Sequence, residues 1–264
     1  MKHTAIFIMV LLIALSCSTV PITGRRQVNL IPESQLTAMS LTEYKSFLST
    51  HTLSNDATNR AMVKNVGAKI QAAVTTYMKN EKLSDRIAGY AWEFNLVEDP
   101  AVNAWCMPGG KVVVYTGLLP VTQTETALAV VMGHEIAHAI ARHGNERMSQ
   151  QMELQLAGAA LDVALATKTA ETKAIFSQAF GIGGQLGILA FSRNQETEAD
   201  KLGLVFMAMA GYDPNQAIPF WERMSKMSNG SAPPVLLSTH PSDAQRIKDL
   251  NAWMPTAMKY YKKP

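Results

Sequence analysis

Cysteine is scarce: Cys17 and Cys106 are the only two in 264 residues, so there is no disulfide framework to read. Clustered charge is also missing. The formal net charge is +3 with Lys and Arg scattered along the chain, which excludes the electrostatic footprint of a nucleic-acid binder. Lys259, Lys262 and Lys263 read as a solvated tail. No internal repeat or low-complexity segment is present. A dinucleotide loop is excluded too, because GIGGQL (residues 181–186) lacks the third glycine of GxGxxG and no clear strand precedes it. Long apolar runs are few. Residues 174–192 carry no charge and approach membrane-spanning length, but Ser177, Gln178, Gln185 and four glycines dilute them; they predict a buried helix with close helix–helix contacts.

The other apolar run is residues 5–15, after Lys2, and it is too short to span a bilayer comfortably. Ser16 and Cys17 follow, as in a bacterial lipoprotein signal whose cysteine takes lipid and becomes the mature N-terminus. A plain cleaved signal or an uncleaved anchor is the alternative, and a Cys17–Cys106 bridge stays open. Ser18 after the cysteine resembles the pattern sent to an outer membrane. Residues 1–16 are thus predicted as a lipoprotein-type signal peptide, 17–35 as a tether of polar, Pro and Gly character, and 36–264 as the folded domain.

Within that domain, helical periodicity runs from Leu36 to about Met78, with Asn55–Asp56 as a cap. WEFNLVED, VNAWCM and KVVVYTG then read as strands. Pro-Gly-Gly between the last two predicts a hairpin of residues 102–107 and 111–116. The rest is helical, giving an α+β fold: mostly helix with a small sheet.

The stretch VVMGHEIAHAIARHG (residues 130–144) places two histidines and a glutamate inside an apolar helix. Thr122 with Glu125 predicts a capping box and Gly144 a stop. Four residues turn a helix by about 400°, so His134 and His138 share a face. Glu135 lies about 100° round, able to reach a ligand of an ion held by the pair. This is HExxH, two metal ligands and a general base. His143, about 180° from His134, is assigned to the solvated helix end. A catalytic zinc needs a third protein ligand. SRNQETEAD (residues 192–200) offers Glu196 and Asp200 on one face, able to serve as ligand and supporting carboxylate; Glu198 points away and suits the helix N-terminus.

HEIAHAIARH, SRNQETEAD and THPSDAQRI, in that order, closely resemble the HtpX-like and CAAX-prenyl-protease-like zinc metallopeptidases, above all their soluble periplasmic lipoprotein members. The resemblance spans roughly residues 55–253. It implies a zincin-type domain in which His134, His138 and Glu196 bind one Zn2+, Glu135 is the base and Asp200 supports the site. It further implies that His240, before Pro241, reaches toward the metal, that Arg246 steadies the oxyanion or the acidic ligands, and that Asn103 and Ala104 lie on a strand to which a substrate peptide adds. The chain lacks the several membrane helices of the integral members, which favours a cleft open to the periplasm. The implied activity is a metalloendopeptidase of the bacterial envelope, anchored by lipid on Cys17 and acting on misfolded or stalled envelope proteins. The competing reading is a zinc-stabilised chaperone for outer-membrane protein assembly, with hydrolysis suppressed by the His240 loop. A purely structural lipoprotein is a third reading, which absence of zinc would favour.

Overall fold

A computed structural model describes residues 17–150, 152, 193–227, 236 and 244–262. The predicted leader, the uncharged stretch 174–192 and His240 lie outside the described residues. Among the described residues no helix is long and apolar enough to cross a membrane.

The segment predicted as a tether is folded. Strands β1 (Cys17–Thr19) and β2 (Arg26–Val28) pair antiparallel, with Cys17 opposite Val28. The turn between them uses positive φ at Ile22 and Gly24. Val20 is buried in the main core, and the Leu30 amide donates to Ser149 Oγ at 2.9 Å. Polar composition misled the prediction because these polar groups find partners elsewhere in the fold rather than in water. Helix α1 (Glu33–Thr50) follows at once, starting three residues before the predicted boundary. Helix α2 (Ala57–Asn80) starts where predicted, with Asp56 accepting from the Asn59 amide at 2.9 Å.

The sheet is the platform for the site. Strands β3 (Glu93–Val97), β4 (Ala104–Met107) and β5 (Lys111–Tyr115) stand in the order β3-β5-β4, with β5 parallel to β3 and antiparallel to β4. The predicted β4–β5 hairpin forms, and Gly109 and Gly110 at φ 89° and 81° make its turn, a region few side chains tolerate. Alternation sends Val112 and Val114 into the main core with Val66 and Ile70 of α2. It sends Val113 to the other face, against Tyr44 and Phe47 of α1. Helices cover both faces, which is why Val112, Val113 and Val114 of β5 are all apolar and buried.

Helix α3 (Glu125–Ala141) carries HExxH and is buried from Ala127 to Ala141, as an all-round apolar helix should be. Its N-cap is Thr124, which accepts from the Ala127 amide at 3.1 Å. The predicted Thr122–Glu125 box does not form: Thr122 donates to the Leu119 carbonyl, and Glu125 pairs with Tyr212 and Lys69. Nor does Gly144 stop the helix. Arg142 does, at φ 61°, and the chain resumes as α4, residues 143–150. Helix α5, residues 193–209, crosses α3 at Gly133 and Gly203; a Cβ on Gly203 would sit 2.9 Å from the His134 amide nitrogen. The backbones therefore touch beside the motif. Helices α6 (Ala217–Met227) and α7 (Ala244–Ala257) close the core with Trp221, Phe220 and Leu250. Cys106 carries a free thiol, so the Cys17–Cys106 bridge is not formed.

Candidate metal centre

His134 and His138 point the same way from α3, their Nε2 atoms 3.0 Å apart. Close contact between α3 and α5 brings Glu196, in the first turn of α5, against both. Its Oε2 lies 3.3 Å from His134 Nε2 and its Oε1 3.3 Å from His138 Nε2. Two donors at 2.0–2.1 Å from one tetrahedral cation lie about 3.3 Å apart. Each of the three separations is close to that spacing, with Glu196 facing each imidazole through a different oxygen. All three residues are buried, where a carboxylate and two imidazoles are costly to hold without a cation between them. The group could hold a metal ion.

Asp200, one turn after Glu196, accepts from His134 Nδ1 at 2.9 Å. That bond keeps a proton on Nδ1, so Nε2 is the nitrogen that can offer a lone pair once the ring is neutral. Arg246 of α7 donates to the same Asp200 oxygen at 2.6 Å, approaches Glu196 Oε2 to 4.0 Å, and stacks over Trp221 with its guanidinium 3.3 Å from the ring centre. It is bound to the acids of the site. Burial alone would lower the His134 pKa, but its bonds to Asp200 and Glu196 prevail and raise it to about 9. His138 goes the other way, held well below the usual imidazole value chiefly by burial.

A model of peptidase family M48 matches residues 64–254, which takes in every side chain named so far at this centre. The chain belongs to peptidase family M48. It is 39% identical over 171 residues to the mitochondrial metalloendopeptidase OMA1 of Schizosaccharomyces pombe, covering 63% of this chain and 48% of that protein. Against the mitochondrial metalloendopeptidase OMA1 of Homo sapiens it is 29% identical over 247 residues, 90% of this chain and 46% of the other. The putative beta-barrel assembly-enhancing protease of Vibrio cholerae is 37% identical over 164 residues, 59% of this chain and 33% of the other. This M48 chain therefore spans about half the length, or less, of these curated relatives. None of the three carries an HtpX-like or CAAX-prenyl-protease name, so the family, rather than that subgroup, is what the comparison shows.

Two residues of the M48 centre escaped the sequence reading. His143 is fully buried rather than solvated: its Nδ1 lies 2.9 Å from His138 Nδ1, and its Nε2 lies 3.0 Å from Glu198 Oε2. Glu198 is correspondingly more than a helix-end charge, and Arg25 of the N-terminal hairpin also donates to it. A helical wheel puts His143 opposite His134 only if the helix runs on. The left-handed Arg142 resets the chain and swings His143 back behind His138. No local signal marks that break.

Glu135 is buried beside His134. The Cys106 thiol of β4 is raised by burial and, further, by the Glu135 charge. β4 is an edge strand among the described residues. The Asn103 carbonyl is taken by the Tyr115 amide. By strand alternation the main-chain groups of Ala104 turn to the open edge. The Val102 carbonyl, on that same edge, already accepts from the Leu236 amide at 3.1 Å.

Proposed function

We propose that this chain is a zinc-dependent metalloendopeptidase of the bacterial cell envelope, cleaving misfolded or stalled envelope proteins. The observation that carries the reading is the convergence of His134, His138 and Glu196: the two Nε2 atoms lie 3.0 Å apart, and each faces a different Glu196 oxygen at 3.3 Å. Two imidazoles and one carboxylate suit zinc. Bound there, zinc would acidify a water toward neutrality and polarise the scissile carbonyl. Glu135 takes the proton of the attacking water and returns it to the leaving amine. Asp200 fixes the tautomer of His134, and Arg246 holds Asp200 and offsets the charge of Glu196. The open main chain of Ala104 offers the edge on which an extended substrate pairs, with Asn103 contributing its side chain. The family resemblance gives His240, which lies outside the described residues, a role at the metal in the reaction.

The test replaces Glu135 with Gln in the full chain and measures bound metal and casein cleavage. Metal near one ion per chain with cleavage lost by at least about a hundredfold is expected. Cleavage at the wild-type rate, or a wild type that binds no metal, overturns the assignment.

The envelope location rests on the predicted leader with Cys17 after it, and on the relative named as a beta-barrel assembly-enhancing protease. A lipid on Cys17 would hold β1 at the membrane surface. Cys17→Ser is expected to move the chain from the membrane to the soluble fraction of cells; equal membrane retention removes the anchor from the reading.

A further inference from the structure

The polar network behind His138 begins outside the M48 match, on the N-terminal hairpin. We propose that Arg25 is a positioning residue for His138, acting through Glu198 and His143. The inference rests on the metal reading above.

If His138 offers the Nε2 lone pair to a metal, its proton sits on Nδ1. Nδ1–H then donates to His143 Nδ1 at 2.9 Å, and His143 must carry its own proton on Nε2, which donates to Glu198 Oε2 at 3.0 Å. Each hydrogen has an acceptor, and a carboxylate at the far end sets the direction of the whole chain. The arrangement holds only while Glu198 stays charged and in place. The Thr23 hydroxyl donates to its Oε1, and Arg25 Nε donates to its Oε2 at 2.8 Å. The two terminal nitrogens of Arg25 grip Glu146 at 2.6 and 2.8 Å, and Gln195 donates to Glu146 at 2.7 Å. One planar guanidinium thus joins the hairpin to α4 and α5, a fork that an ammonium cannot reproduce. Without it two buried carboxylates face each other with no guanidinium between them. Glu198 would turn toward water, and the ring of His138 would lose the backing that sets its angle.

The test uses the full chain with Arg25→Ala, Arg25→Lys, Glu198→Gln and, as control, the exposed neighbour Arg26→Ala. The readouts are zinc affinity by chelator competition, the visible absorption of the Co2+-loaded protein, and the metal-free thermal midpoint. Arg25→Ala and Glu198→Gln are expected to weaken zinc about 10- to 100-fold and to shift the Co2+ bands. Arg25→Lys should fall between these and wild type, and Arg26→Ala should match wild type. A lower thermal midpoint with unchanged zinc affinity and Co2+ spectrum would mean that Arg25 is merely structural, and overturns the proposal. Should Arg25→Ala not fold, Glu198→Gln decides by the same readouts. A wild type that binds neither ion overturns the metal reading, and this inference with it; a binding wild type with equal variants overturns this inference alone.

Discussion

The two imidazoles at the centre are backed by unlike partners. His134 rests directly on a carboxylate, Asp200, which Arg246 neutralises from α7. On its Nδ1 side His138 rests on a second imidazole, His143, and a carboxylate, Glu198, stands behind that ring. The first side is built by side chains within the family match; the second borrows Arg25 from a hairpin that precedes it. Proton affinity follows from this. Bonds to both Asp200 and Glu196 lift His134 to about 9 against the pull of burial, whereas at His138 burial outweighs Glu196 alone. Glu198 itself is held down to about 2: burial would raise it, but bonds from His143, Arg25 and Thr23 prevail.

The largest test breaks both sides at once. Gly203→Ala puts a Cβ 2.9 Å from the His134 amide nitrogen, and backbone cannot yield as a side chain can. We expect a loss of about 1–3 kcal/mol or more in stability. The thermal midpoint should fall, and bound metal should drop well below one ion per chain. Full metal content in that variant would mean that α3 and α5 do not set the donor spacing.

The next test separates the two sides. Asp200→Asn should weaken zinc by about 10- to 100-fold when measured above pH 9, where protons no longer compete. Below that pH a smaller effect appears. In wild type His134 binds its proton more tightly than an ordinary imidazole, so zinc affinity is greatest above about 9 and is lost as pH falls, by about a factor of ten per unit. In Asp200→Asn that dependence should flatten between pH 7 and 9, because the main support of the His134 proton is gone. Chelator competition across pH checks this. An unchanged slope would mean that Asp200 does not set the proton affinity of His134.

Much of the centre was legible because its rules are local. Four-residue spacing alone puts His134 beside His138, and the same spacing aligns Glu196 with Asp200. Pro108, Gly109 and Gly110 between two β-rich runs give the hairpin, and Asp56 the start of α2. What escaped depends on contacts far apart in the chain. His143 looked solvated because a wheel assumes an unbroken helix, and Arg142, a non-glycine residue, gives no warning that it will turn left-handed. Glu198 looked like a helix-end acid because its partners, Arg25 and His143, are 173 and 55 positions away. Residues 17–35 looked like a tether because composition counts polar groups and cannot say whether water or protein satisfies them.

The sequence by itself determined the period-based parts of this protein: an apolar helix presenting two imidazoles, an acidic helix start presenting two carboxylates, and a tight hairpin. Backbone geometry fixes those relations within a few residues. Only the tertiary structure decided that the two helices meet at glycine, where the absence of side chains lets backbones touch and the donor atoms converge. It alone also decided that an arginine near the N-terminus stands behind one of them, since a buried charge takes whichever partner the fold brings near.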